Sequence, residues 1–133
     1  MSKRFFNLFC NEFDARWSYT STATNATNTA QVSPTVKNGV EVHHLDFFQW
    51  LVKNMNTLDF TVAAQVRDAS AGGTVLAQWP MILKGSQVAN VSPSGLHLLA
   101  TKGKALFFTT DTVQPSVTST VNAAGWIDEG ESY

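Results

Sequence analysis

The stretch from Phe60 to Arg67 constrains the fold more than any other part of this chain. Phe60, Val62, Ala64 and Val66 fall on one side of an extended backbone, and Thr61, Ala63, Gln65 and Arg67 on the other. A period of two is the mark of a half-buried strand, because successive side chains leave a pleated backbone on opposite faces. The pattern recurs. Arg16 to Thr22 sets Trp17 and Tyr19 among polar residues, and Thr74 to Leu83 puts Val75, Ala77, Trp79, Met81 and Leu83 on one face. Near the end, Val117, Ser119, Val121 and Ala123 alternate with Thr118, Thr120 and Asn122. Val40 and Val42, Val88 to Val91, Leu96 to Ala100 and Ala105 to Thr110 supply shorter runs.

Turn chemistry separates these runs. Asn38-Gly39 suits a turn because both residues tolerate positive φ. Asp68 to Gly73, Lys84 to Ser86, Ser92 to Gly95 and Lys102 to Lys104 are rich in small or turn-forming residues. Pro80 lies inside a strand pattern, where a missing backbone donor places the strand at a sheet edge or at a bulge. About seven or eight short strands, with a turn roughly every 8–12 residues, predict an all-β fold: an antiparallel β-sandwich of the jelly-roll or Ig-like kind. The absence of a repeating βα pattern argues against a parallel α/β sheet.

Two segments read differently. Between Lys3 and Phe13, the residues Phe5, Phe6, Phe9, Cys10 and Phe13 recur at helical spacing, which predicts a short amphipathic helix or arm with an aromatic stripe. The stripe can dock on the domain's own core or on another subunit. Phe5, Phe6, Phe9 and Phe13, with Trp17 and Tyr19, are the candidate interface with another subunit or partner protein. Between Asp46 and Asn56, Phe47, Phe48, Trp50, Leu51, Val52 and Met55 would cover one side of a helix, and Asp46 with Gln49 resembles a capping box. A bulged strand fits the same residues. Ser21 to Ser33 is a low-complexity stretch of Ser, Thr, Asn and Ala with too little apolar area to anchor itself, so it reads as an extended loop or supported edge. The expected organisation is an arm and extended segment over residues 1–36, a sandwich over 37–128 and an acidic tail over 129–133.

Composition bounds the function. At 133 residues and 44% hydrophobic, the chain fits one folded domain. Charged residues are only 14%, so Thr, Ser, Asn and Gln supply the polarity. Such a surface suits contact with protein neighbours, and equally a Thr-rich β domain. Net charge is −1, and Lys3-Arg4 is the one adjacent basic pair, which argues against direct nucleic-acid binding. A single cysteine, Cys10, forms no intrachain disulfide. The opening residues make a poor secretory signal, and no run approaches the about 18 apolar residues of a membrane helix. The expectation is a soluble protein made in a cytoplasm, with no membrane partner.

No catalytic constellation emerges. His43 and His44 are adjacent and so point to opposite faces of a strand, which prevents them from sharing a metal. Glu41, His43 and His97 can in principle converge, without ligand spacing that connects them. Ser94 is close to His97 but lacks a nucleophile-elbow motif. The acids sit mostly at strand ends, and Gly72-Gly73 lacks the Lys-Ser/Thr of a phosphate loop. The chain is expected to have no catalytic, metal or cofactor site. Trp17, Trp50, Trp79 and Trp126 would make a sugar-stacking platform only if two of them shared an exposed face.

From about Val40 to Asp128 the chain resembles small virion proteins of tailed bacteriophages. The resemblance runs through VEVHHL from Val40, FTVAAQVRD from Phe60, GTVLAQW from Gly73, GLHLLATKGKALFF from Gly95 and VTSTVNAAGW from Val117. The aromatic N-terminal segment and Asp46 to Asn56 depart from that pattern. It implies a non-enzymatic capsid decoration or cement protein located on the virion and made in a bacterial host's cytoplasm. Such a protein acts as a homo-oligomer, often a trimer, with the major capsid protein as its partner. A carbohydrate- or receptor-binding module of a tail or fibre, and a self-assembling coat protein, are the alternatives.

Overall fold

The computed structural model describes residues 16–24, 29–110 and 117–128. They form nine strands and no helix: β1 (Arg16–Thr24), β2 (Thr29–Gln31), β3 (Val42–Asn54), β4 (Phe60–Asp68), β5 (Val75–Leu83), β6 (Val88–Val91), β7 (Leu98–Leu99), β8 (Leu106–Thr110) and β9 (Val117–Asp128). All pairings are antiparallel. One sheet has the order β1-β9-β3-β6, with β7 also on β3; the other has the order β2-β8-β4-β5.

The fold is an antiparallel β-sandwich, as the alternation predicts. Its strand order is that of a jelly roll, in which β6 and β7 share one position along β3. β1 and β2 enter the two sheets at their edges, so strands from before residue 37 belong to the sandwich. This is how the Thr- and Ala-rich stretch after Tyr19 finds support: β1 pairs along its whole length with β9. β5 is the opposite edge of the second sheet, where Pro80 is tolerated.

β3 resolves the ambiguity at Asp46 to Asn56. The segment is strand through Asn54, and its register on β9 jumps between Leu45 and Phe47, leaving Asp46 as the extra residue of a bulge. Before the bulge His43 and Leu45 face inward; after it Phe48, Trp50, Val52 and Asn54 do. Gly125 sits opposite the bulge, and any side chain there would overlap the His44 carbonyl oxygen.

The core is built from both inner faces. Leu45, Phe48, Trp50, Val52, Val121 and Ala123 meet Val62, Ala64, Val66, Leu83, Leu106 and Phe108. Phe48 stacks on Trp79 at 4.6 Å and tilts against Phe108 at 5.7 Å, linking β3 to β5 and β8 across the sandwich. A fully buried aromatic of this kind contributes about 3 kcal/mol of transfer free energy. Trp50 donates its indole N–H to Ser119 Oγ at 2.7 Å, so its one polar atom is satisfied inside.

One end of the sandwich is closed by two interlocked turns. Asn54, fully buried, donates to the carbonyls of Leu58 and Lys84 and accepts from Asn56 N–H. Asp59 accepts the Gly85 N–H at 2.8 Å, which, with Lys84 nearby, holds its carboxyl below the usual range. Met55, Leu58, Ile82 and Val88 remain exposed around this end, Leu58 at 73%.

Candidate functional site

Three groups of side chains on or beside β3 are the candidates. The first lies at the inner face. His43 Nδ1 is 2.7 Å from Ser33 Oγ, and His43 Nε2 is 3.2 Å from Glu41 Oε1. Ser33 Oγ accepts the Leu106 N–H at 2.8 Å, and Glu41 Oε1 accepts the Lys37 N–H at 3.1 Å. With a proton on Nε2 the imidazole donates to Glu41, and with a bare Nδ1 it accepts the Ser33 hydroxyl proton, an assignment that satisfies all of these contacts.

A serine, a histidine and an acid in a chain are the elements of an acyl-transfer triad. Here they are enclosed, with Ser33, His43 and Glu41 exposed by 3%, 0% and 4%. A nucleophile needs an approach for its substrate, and this one is walled in with its lone pair already engaged by Leu106. The network instead ties β3 to the segment between β2 and β3 and to β8, across the two sheets. Sequence reasoning brings Glu41 and His43 together correctly, two residues apart on one strand face. It does not supply Ser33, which arrives from another strand connection, and it groups His97 with the wrong histidine.

The second group lies on the outer face of the first sheet. His44 pairs with Trp126 of β9 on one side and with Leu99 of β7 on the other. Its ring stacks on Trp126 at 4.3 Å, 12° from parallel. His97 lies on the same indole at 5.2 Å, and its Nε2 is 2.8 Å from His44 Nδ1. Two imidazoles therefore lie edge to edge over one indole. Buried Nε2 of His44 has no hydrogen-bond partner among the described residues. Burial, followed by the nearby His97, lowers the pKa of His44 from its ordinary value, against the weaker pull of Asp128 and Asp46. Arg16 and Asp46 form an exposed ion pair at 3.4 Å beside this cluster.

The third group lies further along that outer face, where a ladder of uncharged polar side chains runs beside Leu51 and exposed Lys53. Thr22 and Thr120 are joined at 3.0 Å, Thr20 donates to Asn122 at 2.8 Å, and Asn122 donates to Gln49 at 3.1 Å. Phe47 sits above them, 49% exposed.

Of the residues expected at an interface, Phe5, Phe6, Phe9 and Phe13 lie outside the described residues. Trp17 is buried in the core, 8% exposed, and Tyr19 is half-buried against it. Trp17 Nε1 is buried without a partner among the described residues. No two tryptophans share an open face: Trp17, Trp50 and Trp79 join the core, and Trp126 is covered by the two imidazoles. Among the described residues, no cluster of three metal-ligating side chains occurs, and no helix is long and apolar enough to cross a membrane.

No family model matches the chain, and no curated protein matches it. Among solved structures it is similar to the Drosophila NLP core, whose structure is described in terms of pentamer formation and histone binding. The two are 13% identical, 84% of this chain and 96% of that one are covered, and the TM-score is 0.50. More distant likenesses are to a Bacillus endospore appendage of a family of disulfide-linked pili, at 8% identity over 84% of this chain and 83% of that one, TM-score 0.38. Another is to infectious bursal disease virus Gx strain, at 14% identity over 90% of this chain and 35% of that one, TM-score 0.36. At these identities the NLP likeness concerns the fold alone, and the other two carry no argument.

Proposed function

We propose that this chain is a non-enzymatic assembly protein: a homo-oligomeric jelly-roll module that decorates a phage head and stabilises it by binding the major capsid protein. The observation that carries the reading is the outer face of the first sheet. Between the Arg16–Asp46 ion pair and exposed Lys53 it carries Thr20, Thr22, Thr120, Asn122 and Gln49, uncharged and hydrogen-bonded to one another. Covering groups that are already paired costs little, whereas covering a field of lysines and glutamates would strip each of its water. A neighbouring subunit can therefore sit on this face.

Other observations support the same reading. The chain is low in charge throughout. Among the described residues, β1 and β6 are the outermost strands of one sheet and β2 and β5 of the other, edges of the kind to which another chain can add. The NLP core, which shares the fold, is described as a pentamer. The Ser33, His43 and Glu41 chain is a closed structural clamp, which favours a role without catalysis. Phage heads as the partner rest on the resemblance of Val40 to Asp128 to tailed-phage virion proteins.

A piece that binds only the assembled lattice stabilises it by mass action. Purified protein added to heads stripped of it should sediment with them and raise their melting temperature. Heads that neither retain the protein nor melt higher would refute the decoration role.

A further inference from the structure

The hydrogen bond between Nδ1 of His44 and Nε2 of His97 needs one N–H and one lone pair facing each other. A neutral pair meets that need, and so does a pair that has gained one proton. A pair that has gained two does not, because two N–H groups then point at each other. His44 has no second outlet, since its Nε2 is buried without a partner among the described residues. A doubly protonated pair would be left with two buried, unpaired N–H groups on one charged ring.

We propose that His44 and His97 are a proton-operated latch, which holds the connection between β6 and β7 across Trp126 and releases it when the pair takes its second proton. The two halves differ in freedom. His44 is fixed in β3 between two paired neighbours, Trp126 and Leu99. His97 is exposed on a connection whose Gly95 has a φ of 68°, so His97 is the half that moves. Its departure uncovers the part of the Trp126 indole that His44 does not cover, on the same sheet face as the cluster and near exposed Leu99. The surface so opened is aromatic and apolar, and contacts made there become pH-dependent. This device does not rest on the assembly reading.

Among the described residues, the charged surroundings are few. Asp128 comes from β9, Asp46 and His43 from β3, and Arg16 of β1 is bound to Asp46. Apart from His97, residues 92–99 carry no titratable side chain. The carboxylates favour the protonated form, but burial and the facing imidazole outweigh them at His44. The closed latch is therefore the form present at neutral pH.

Titration of the full chain by imidazole and indole nitrogen NMR, from about pH 8 to about pH 4, tests the latch. The expected result is two coupled proton uptakes by the pair, with the Trp126 indole signal shifting at the second. In His97→Ala the His44 titration should move to higher pH. In His97→Gln an amide can donate to neutral His44 or accept from its protonated form, so Trp126 should not shift. Independent single titrations in the wild type, a Trp126 signal constant across the range, or a wild-type shift retained in His97→Gln would each overturn the proposal.

Discussion

His43 and His44 are consecutive in β3 and occupy opposite environments. His43 lies inside the sandwich with both ring nitrogens engaged by Ser33 and Glu41. His44 lies on the outer face against Trp126, with one nitrogen shared with exposed His97 and the other unpaired among the described residues. The residue type is the same and the two are adjacent in sequence. Strand alternation alone assigns one to fixed architecture and the other to a surface whose state depends on protons. A buried, fully bonded imidazole stabilises a fold; an imidazole with an exchangeable partner can report on solution conditions.

Breaking the strand phase should have the largest effect. Gly125→Ala forces the backbone away from the His44 carbonyl and the adjoining bulge, and should cost about 4 kcal/mol or prevent folding, seen as a lowered denaturant midpoint. His43→Ala opens a cavity and leaves Ser33 and Glu41 without their shared partner, an expected loss of about 3 kcal/mol in urea unfolding. His44→Ala on the outer face should cost about 1 kcal/mol; equal losses at the two positions would erase the distinction drawn between them.

Acid sharpens the comparison further. The folded state binds the His44 proton less readily than the unfolded chain, whose imidazole titrates at the ordinary 6.5. The stability contributed by neutral His44 is therefore complete above pH 6.5 and is lost as pH falls from there through the lowered folded-state value. His44→Gln should remove that part of the acid dependence, leaving a flatter plot of unfolding midpoint against pH. The smallest effect belongs to the neutral ladder: Thr22→Ala, which breaks the contact with Thr120, should change monomer stability by about 0.5 kcal/mol or less.

Much of this fold is legible in the sequence because alternation survives wherever one face is buried. β4 and β9 read correctly from their periods of two, and Pro80 correctly marks β5 as an edge. β3 is ambiguous for a definite reason. The extra residue at Asp46 makes the inward spacing from Leu45 to Phe48 three, the spacing of a helix face. A bulge in a strand and one turn of a helix share that local signature, and only the pairing with β9 separates them. Ser33 and His97 were beyond reach for another reason. Their partners His43 and His44 are 10 and 53 residues away, brought together by connections whose course no local pattern encodes. The choice of jelly roll over Ig-like order likewise lives in long-range strand pairing.

The proposed function requires that this chain assemble through its jelly-roll surfaces. Sedimentation velocity of the purified full chain over a wide range of concentration tests it directly. One discrete closed oligomer that persists on dilution and melts as a unit is the expected result. A species that remains monomeric at the highest concentrations would contradict it.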